Sequence, residues 1–295
     1  MKNSALRRKQ TIAGWLFSAP ALLLFTAFVL IPIIYVFVYS FTKWDGMGTP
    51  RFIGFDNYTS IFGSSEFRTA ISNNFKFLLV GVPIWTFFPL VIAVLLQDEV
   101  RGWRFFRSVY FFPTVLSTAV ISTLFKSFFL YAGPANKLLG LLGIAPIEYF
   151  ANGNIAIFLV ITIINWVGFG SAVLIYLAGM SSFSGEVFEA AYLDGANWFQ
   201  KVIYITLPLL KPTIQLTVML NVLTVFTALF GYIFMMTGGG PGYETTVIEY
   251  LLYLKAFKTH DFGYACALAV VLFAIVSVIT LVQFKLTNGK NESVV

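Results

Sequence analysis

The residues of this chain whose types and spacing suit chemistry lie in a polar segment between two long apolar stretches. Residues 189–208 read EAAYLDGANWFQKVIYITLP, with acidic and basic side chains, a central glycine and a terminal proline. A simple hairpin between two apolar helices needs only a handful of residues. The length and charge of this segment therefore predict a surface that contacts a partner.

The start of this polar segment predicts a short helix, 186–193. Glu186 and Glu189 lie three positions apart and therefore share one face of that helix. Ala190 and Ala191 follow, and their small side chains leave room for another molecule to approach closely. The pattern indicates an acidic helix face that is built for close contact.

A glycine and a proline predict the shape of the whole segment. Gly195 permits the positive φ that ends a helix, so a second short helix near Trp198–Tyr204 folds back against the first. Pro208 then ends the unit as the next apolar stretch begins. Ser184 lies where the first helix needs a cap. The sequence thus predicts a helical hairpin that acts as a rigid lever.

Composition indicates that this hairpin belongs to a membrane protein. The 295 residues are 58% hydrophobic and 11% charged, with a mean hydropathy of +0.83, whereas soluble domains are about a quarter charged. One cysteine and one histidine exclude a disulfide framework and a Cys- or His-ligated metal site. The net charge of +6 is scattered over short loops, which indicates membrane topology rather than nucleic-acid binding.

Six stretches are long and apolar enough to cross about 30 Å of hydrocarbon. The first is too long for a secretory signal and has no clear cleavage site, so we expect it to be retained. Pro20 and Pro32 are expected to bend it. The predicted spans are Ala13–Phe41, Asn74–Leu96, Val109–Leu130, Ile155–Gly179, Leu209–Met236 and Phe262–Phe284.

Basic residues predict the orientation of these spans. Cytoplasmic loops carry an excess of lysine and arginine. Both termini and the 189–208 segment are therefore expected in the cytoplasm, with Lys43–Asn73, Tyr131–Asn154 and Thr237–Asp261 outside. The basic residues that carry this prediction are Lys2, Arg7, Arg8 and Lys9 before the first span and Arg101, Arg104 and Arg107 after the second.

This chain lacks the residues that several other classes of membrane protein need. Every Asp and Glu is expected in a loop or at a span boundary, which leaves no buried carboxylate of the kind that ion-coupled carriers use. No Thr-Val-Gly-Tyr-Gly filter is present. The glycines Gly238–Gly240 lack the lysine of a phosphate-binding loop. If the chain drives transport, a separate ATPase is implied, and a secondary carrier or a channel is the alternative.

The hairpin residues also carry a family resemblance. Glu189-Ala190-Ala191, Gly195 and, after nine intervening residues, Ile205-x-Leu207-Pro208 resemble in full the EAA signature of permeases from binding-protein-dependent ABC importers. The chain resembles most the carbohydrate-uptake group, of the maltose and glycerol-phosphate type. It departs from many relatives just before the EAA helix, where they carry a proline and this chain has Phe183-Ser184-Gly185. Further matching segments are Ile53–Tyr58, Phe105–Ser108 with Pro113, Thr237–Gly242 and Tyr264–Ala267.

The resemblance implies an all-α integral membrane protein with six transmembrane helices, the type I ABC importer permease fold and a cytoplasmic EAA coupling helix. It implies three parts: residues 1–73 with the tail, first helix and outer loop; a core at 74–284 that includes the EAA loop 186–208; and a cytoplasmic tail at 285–295. The residues that the resemblance assigns to contact with the ATPase are Glu186, Glu189, Ala190, Ala191, Asp194, Gly195, Leu207 and Pro208.

The resemblance also implies the chain's partners. The permease forms half of the translocation pathway and is not itself an enzyme or a cofactor-binding chain, because ATP and Mg²⁺ bind to the ATPase. The implied partners are a second homologous permease in a heterodimer, two ABC ATPase subunits, an extracytoplasmic solute-binding protein and membrane lipid, with no nucleic acid. The implied location is the cytoplasmic membrane of a bacterium or archaeon, crossed several times, with both termini in the cytoplasm.

A solute path is expected within the fourth and fifth spans. A sugar needs amide or hydroxyl groups for hydrogen bonds and aromatic faces for its apolar side. Polar residues in spans also join neighbouring helices, and this alternative applies to each residue here. The candidate residues are Asn165, Trp166, Gly168 and Ser171 in the fourth span and Asn221, Thr224 and Thr227 in the fifth.

The sequence favours a neutral saccharide without naming it. An anionic solute would need basic residues along the path. The spans offer only boundary cases, such as Lys76 and Lys126. A permease for glycerol phosphate or another non-sugar solute remains the alternative within transport.

Overall fold

The computed structural model describes residues 2–97 and 103–288, most of which form helices. Helices satisfy every backbone N–H and C=O within the segment, as a bilayer requires. Two short strands, β1 (Thr42–Lys43) and β2 (Arg51–Phe52), pair antiparallel. The helices are α1 (Lys2–Phe25), α2 (Ile31–Tyr39), α3 (Asp56–Gly63), α4 (Ser65–Lys76), α5 (Val82–Leu95), α6 (Trp103–Val115), α7 (Thr118–Phe128), α8 (Pro134–Leu141), α9 (Gly153–Met180), α10 (Gly185–Leu193), α11 (Trp198–Lys201), α12 (Leu207–Thr227), α13 (Phe230–Tyr232), α14 (Ile248–Tyr253) and α15 (Phe262–Asn288).

Short π-helical segments join several of these helices into longer ones. Thr26–Leu30 links α1 to α2, Phe77–Gly81 links α4 to α5, and Val202–Thr206 links α11 to α12. In each case a proline is the second residue after the π segment. A proline has no N–H and its ring crowds the carbonyl four residues earlier. The wider π turn accommodates this crowding, so the helix continues through the proline.

The observed spans confirm the membrane class and revise two predicted helices. Five helical stretches of the described residues are long and apolar enough to cross a bilayer, and a bent pair of helices is a sixth candidate. The five are Thr11–Tyr39, Ser65–Leu95, Gly153–Met180, Trp198–Thr227 and Phe262–Lys285.

The third predicted span is not one straight helix. Ser108–Val115 and Thr118–Phe128 meet at 101°. The break occurs because Ser117 has an extended backbone and its hydroxyl accepts the N–H of Val120 at 3.4 Å, which starts a new helix. The span predicted at Val109–Leu130 therefore corresponds to a bent pair of helices rather than to one straight helix.

The fifth span begins and ends earlier than the predicted range of 209–236. It starts at Trp198, because the π segment before Pro208 keeps the helix continuous. It ends at Thr227, because Ala228 leaves the helical conformation with φ −134°. The prediction that Pro208 ends the hairpin as a separate unit is wrong.

One compact unit contains the chain up to Gly63 and Leu252–Phe273. Within this unit Asn57 joins α3 to the residues after α2, because its amide donates to the carbonyls of Ser40 at 2.8 Å and Thr42 at 2.9 Å. The apolar side chains of its Thr11–Tyr39 helix are almost all exposed. This helix therefore offers its surface to lipid or to another chain.

The second compact unit contains Ser64–Leu251 and the chain from Ala274 onward. Its core forms where α5, α9 and α12 meet, around the buried residues Ala93, Tyr176 and Leu210. The indole N–H of Trp85 donates to the carbonyl of Ile161 at 2.9 Å, which joins α5 to α9. This core is the scaffold for both candidate sites described below.

Candidate functional site

The predicted hairpin is present, and its turn has the expected geometry. α10 ends at Leu193, and Gly195 adopts φ +74°. The N–H of Ala196 then donates to the carbonyl of Ala191 at 3.0 Å, which is the bond pattern of a helix ended by a left-handed residue. Asn197 and Gln200 form a reciprocal capping box that starts the next helix. Both ends of the turn are thus closed by local hydrogen bonds.

The start of α10 differs in one detail from the expectation. Ser184 occupies the cap position with an extended backbone, as predicted. Its side chain makes no capping hydrogen bond. The first N–H groups of α10 are therefore not satisfied by this hydroxyl.

The hairpin exposes both charged and apolar side chains. Glu186, Glu189 and Asp194 are exposed, whereas Ala191 is buried at 7% exposure. Leu193 is 84% exposed and Tyr192 is 75% exposed. Exposed apolar residues of this size beside acids are typical of a surface that is covered by a partner. The sequence reasoning missed these two residues, although their place directly after the Glu-Ala-Ala triplet was a usable signal.

The hairpin is joined rigidly to the membrane core. Trp198–Thr227 is a continuous helix, so a displacement of the hairpin is passed directly to the span. Buried Thr206 donates from its hydroxyl to Oε1 of Gln97 at 3.4 Å, just beyond the end of α5. Leu207 is half-buried, Pro208 is exposed and Leu210 is fully buried in the core. These contacts suit a lever whose base is anchored.

The solute-path candidates on α9 divide by their contacts. Ser171 donates to the hydroxyl of Thr114 at 3.4 Å and therefore contacts a neighbouring helix. The side-chain oxygen of Asn165 is buried and has no hydrogen-bonding partner among the described residues. Trp166 is 42% exposed and packs edge-to-face on a phenylalanine of α7. Gly168 is exposed, and a Cβ there would meet open space.

The solute-path candidates on α12 also differ in their hydrogen-bonding partners. Asn221 donates its amide to the hydroxyl of Thr86 at 3.1 Å, which joins α12 to α5. Thr224 and Thr227 donate to carbonyls of their own helix, at 3.0 and 2.8 Å. Their hydroxyl oxygens remain acceptors. The contacts favour a structural role for Asn221 and Ser171 and leave Asn165 as the polar group without a partner.

One carboxyl group outside the candidate spans is buried, which the sequence analysis did not predict. Glu249 lies in the first turn of α14, outside the candidate spans, and both its carboxyl oxygens are buried without a hydrogen-bonding partner of good geometry among the described residues. Burial raises the pKa of Glu249 from 4.5 to about 8, and the backbone N–H of Leu229 opposes this only in part. Residues 245–257 belong to a segment that the sequence predicts to lie between two spans, and nothing in their pattern indicated that the carboxyl group of Glu249 would be buried.

Two neighbouring asparagines of α4 hold the start of α14, the helix that carries this carboxyl group. Asn74 donates to the carbonyl of Val225 at 2.8 Å and accepts the N–H of Ile248 at 3.0 Å. Its neighbour Asn73 donates to the carbonyl of Thr246 at 2.9 Å. Two adjacent side chains of α4 thus fix the start of α14, and Glu249 is buried as a result.

Comparisons with known proteins find relatives that match nearly the whole chain. No protein-family model matches it. It is 34% identical over 292 residues to the probable ABC transporter permease protein YesP of Bacillus subtilis, covering 98% of this chain and 94% of that protein. It is 34% identical to the multiple sugar-binding transport system permease protein MsmF of Streptococcus mutans, covering 93% and 95%. It is 32% identical to the lactose transport system permease protein LacF of Rhizobium radiobacter, covering 96% of each chain.

A solved structure confirms the fold. A bacterial ABC transporter involved in the import of the acidic polysaccharide alginate matches with a TM-score of 0.84 and 23% sequence identity, covering 97% of this chain and 98% of that chain. The relatives are transport permeases, which agrees with a multi-pass, non-enzymatic transport subunit and disfavours the secondary carrier or channel. Together with the EAA hairpin, these matches show that the chain belongs to the carbohydrate-uptake family of ABC importer permeases.

Proposed function

We propose that this chain forms one half of the solute pathway of a sugar importer and pairs with a second, homologous permease. Two ATPase subunits supply the energy, and an extracytoplasmic binding protein delivers the sugar. A structure similar in fold is the alginate transporter in complex with a pentasaccharide-bound periplasmic protein, which covers 95% of this chain. A single copy of this size does not enclose a gated cavity, so alternating access needs the second chain.

The observation that carries the coupling role is the exposed face of α10 on an anchored lever. The acids argue against burial in headgroups, because the cytoplasmic leaflet is negative. A helix that lays an apolar and acidic face into a groove is a common docking mode. In this proposal Glu189 meets the ATPase cleft, and Gly195 keeps the turn in shape.

The test is a pair of hairpin substitutions in the assembled importer. Glu189→Lys reverses a charge at the proposed contact, and Gly195→Asp places a side chain in the left-handed conformation. Both are expected to abolish sugar uptake while the chain stays inserted at normal abundance. Glu148→Lys reverses an exposed charge in the segment before α9 and is the matched control. Normal uptake by both hairpin variants at normal abundance contradicts the coupling role.

We also propose that both termini and the hairpin lie in the cytoplasm. Arg101 of the basic loop lies outside the described residues, so the orientation rests on the lysine and arginine pattern. Cysteines at Leu193, 84% exposed, and Met47, 91% exposed, report the two sides. Met47 is preferable to the neighbouring Gly46, where a Cβ would lie 2.7 Å from a phenylalanine ring.

The labelling uses a chain whose single native cysteine, Cys266, is replaced first. An impermeant thiol reagent added outside the cell is expected to label Met47→Cys. Leu193→Cys is expected to react after the membrane is opened. Reversed labelling contradicts the proposed orientation.

A neutral saccharide is the proposed solute class. Lys76 donates to the side-chain oxygen of Asn154 at 3.0 Å, and Lys126 is exposed on α7. Neither lysine therefore supports a cationic site for an anionic solute beside the candidate residues of α9 and α12. Uptake of radiolabelled neutral oligosaccharides, with glycerol phosphate as the competing solute, distinguishes the two classes.

A further inference from the structure

A polar cavity of about 500 Å³ opens in the second unit, away from both candidate sites. It lies between one face of α4, the start of α9 and the loop that precedes α14. The lining residues among those described are polar or glycine, with no aromatic side chain. The family signature, the solute path and the hairpin leave this cavity without a role.

One wall of the cavity is built by a contact between distant parts of the sequence. The carboxylate of Glu244 accepts the backbone N–H of Gly153 at 2.9 Å. A Cβ on Gly153 would collide with the Glu244 side chain and lie 2.6 Å from its Oε2. The glycine therefore lets this carboxylate reach the start of α9. One negative charge of the cavity is thereby already engaged.

Two cations on α4 give the cavity a positive balance. Arg68 and Lys76 are eight positions apart and line the same cavity. Lys76 is held by the side-chain oxygen of Asn154 at 3.0 Å. Arg68 is exposed, and its guanidinium has no hydrogen-bonding or ion-pair partner among the described residues. Two cations and one carboxylate line the cavity, so its net positive charge favours the binding of an anion.

The lining selects the kind of anion. A sugar ring needs an aromatic face as well as hydrogen bonds, and this cavity lacks one. A planar carboxylate needs only the guanidinium fork and a nearby cation. Hydroxyl and amide groups around the cations, such as Thr69, supply further hydrogen bonds. The chemistry fits an acidic side chain presented by a protein surface.

We infer that this cavity receives a carboxylate side chain of the extracytoplasmic solute-binding protein, with Arg68 as its principal partner. The inference depends on the proposed function, since it requires α4 to begin on the outer side of the membrane. Charge pairs at the rim of an interface govern the association rate and its salt dependence. In this inference Arg68 speeds the association of the binding protein with this subunit and helps to orient it.

The experiment measures binding of the solute-binding protein to the assembled transporter in nanodiscs at several salt concentrations. Arg68→Glu is expected to weaken binding about tenfold to a hundredfold at low salt and to flatten its salt dependence. Arg68→Lys is expected to retain most of the affinity. Lys137→Glu, an exposed lysine of α8 outside the cavity, is the matched control and is expected to change affinity less than about twofold.

Each outcome decides the inference. Wild-type affinity and salt dependence in Arg68→Glu overturn it, provided that the variant assembles with the second permease at normal yield. Equal losses in Arg68→Glu and Lys137→Glu also overturn it, because they indicate a general charge effect. Millimolar glucuronate that binds the wild type but not Arg68→Glu, without changing binding-protein affinity, identifies a small-acid site instead. If the wild-type transporter does not bind the binding protein at all, the proposed function fails rather than this site.

Discussion

Replacing Glu249 with glutamine removes a buried ionisable group while keeping the size of the side chain. The carboxyl of Glu249 has a pKa of about 8 in the folded chain against 4.5 as the ordinary value, because it is buried with little hydrogen bonding. Between these two values the folded chain retains a proton that the unfolded chain has released. Folding is then favoured less as the pH rises.

The magnitude follows from the two pKa values. One pH unit between them corresponds to about 1.4 kcal/mol. The contribution of Glu249 is complete below about pH 4.5, and roughly 5 kcal/mol is lost by pH 8 as an upper limit. From pH 5 to pH 7.5 the loss is roughly 3 kcal/mol. Glutamine stays neutral and shows no such loss, so Glu249→Gln is expected to be more stable than the wild type near neutral pH.

The assay is thermal unfolding of the purified transporter at pH values from 5 to 8.5, comparing the wild type with Glu249→Gln at each pH. A difference of roughly 3 kcal/mol corresponds to about 6–12 °C in a chain or domain of this size. The variant's advantage is expected to grow as the pH rises. Glu148→Gln, which neutralises an exposed carboxylate, is the control and is expected to follow the wild type.

Parallel pH profiles for the wild type and Glu249→Gln would refute this reasoning. They would mean that the carboxyl is hydrated or paired with a cation in the assembled transporter. Comparing the two at each pH removes the contribution of every other titrating group. The comparison therefore isolates Glu249 even within a complex of several subunits.

Three further predictions concern packing and backbone conformation. Gly170→Ala puts a Cβ into the backbone of α6 and is expected to cost roughly 1–3 kcal/mol of stability. Gly168→Ala meets open space on the same helix and is expected to raise stability by up to about 1 kcal/mol in the same melting assay, because alanine favours a helix over glycine. Asn221→Ala leaves its hydrogen-bonding partner on α5 unpaired and is expected to lower stability by about 1–2 kcal/mol without changing the preference among sugars, which a competition uptake assay checks. His260 has φ +55°, so His260→Gly is expected to stabilise the fold by roughly 0.5–1 kcal/mol, and a lower melting temperature would contradict the strain argument.

Features that depend on local pattern could be predicted from the order of the amino acids. Apolar length identified the spans to within a few residues at Gly153–Met180, because any helix must cover the same hydrocarbon thickness. The hairpin turn at Gly195 was also predictable, since a left-handed residue at a helix end favours glycine. The EAA spacing identified the family, and the relatives confirm it.

Features that depend on contacts between distant residues could not be predicted in this way. Thr206, two residues before Pro208, is buried and donates to Gln97, 109 positions earlier, so the start of the fifth span is held by a contact that its local sequence does not reveal. Asn221 is bonded to Thr86, 135 positions away, so its place on one helix face did not reveal its role. Glu249 is buried because two asparagines of α4 hold α14 in place. A one-dimensional pattern records the period of a helix, whereas burial and pairing arise only when the helices pack.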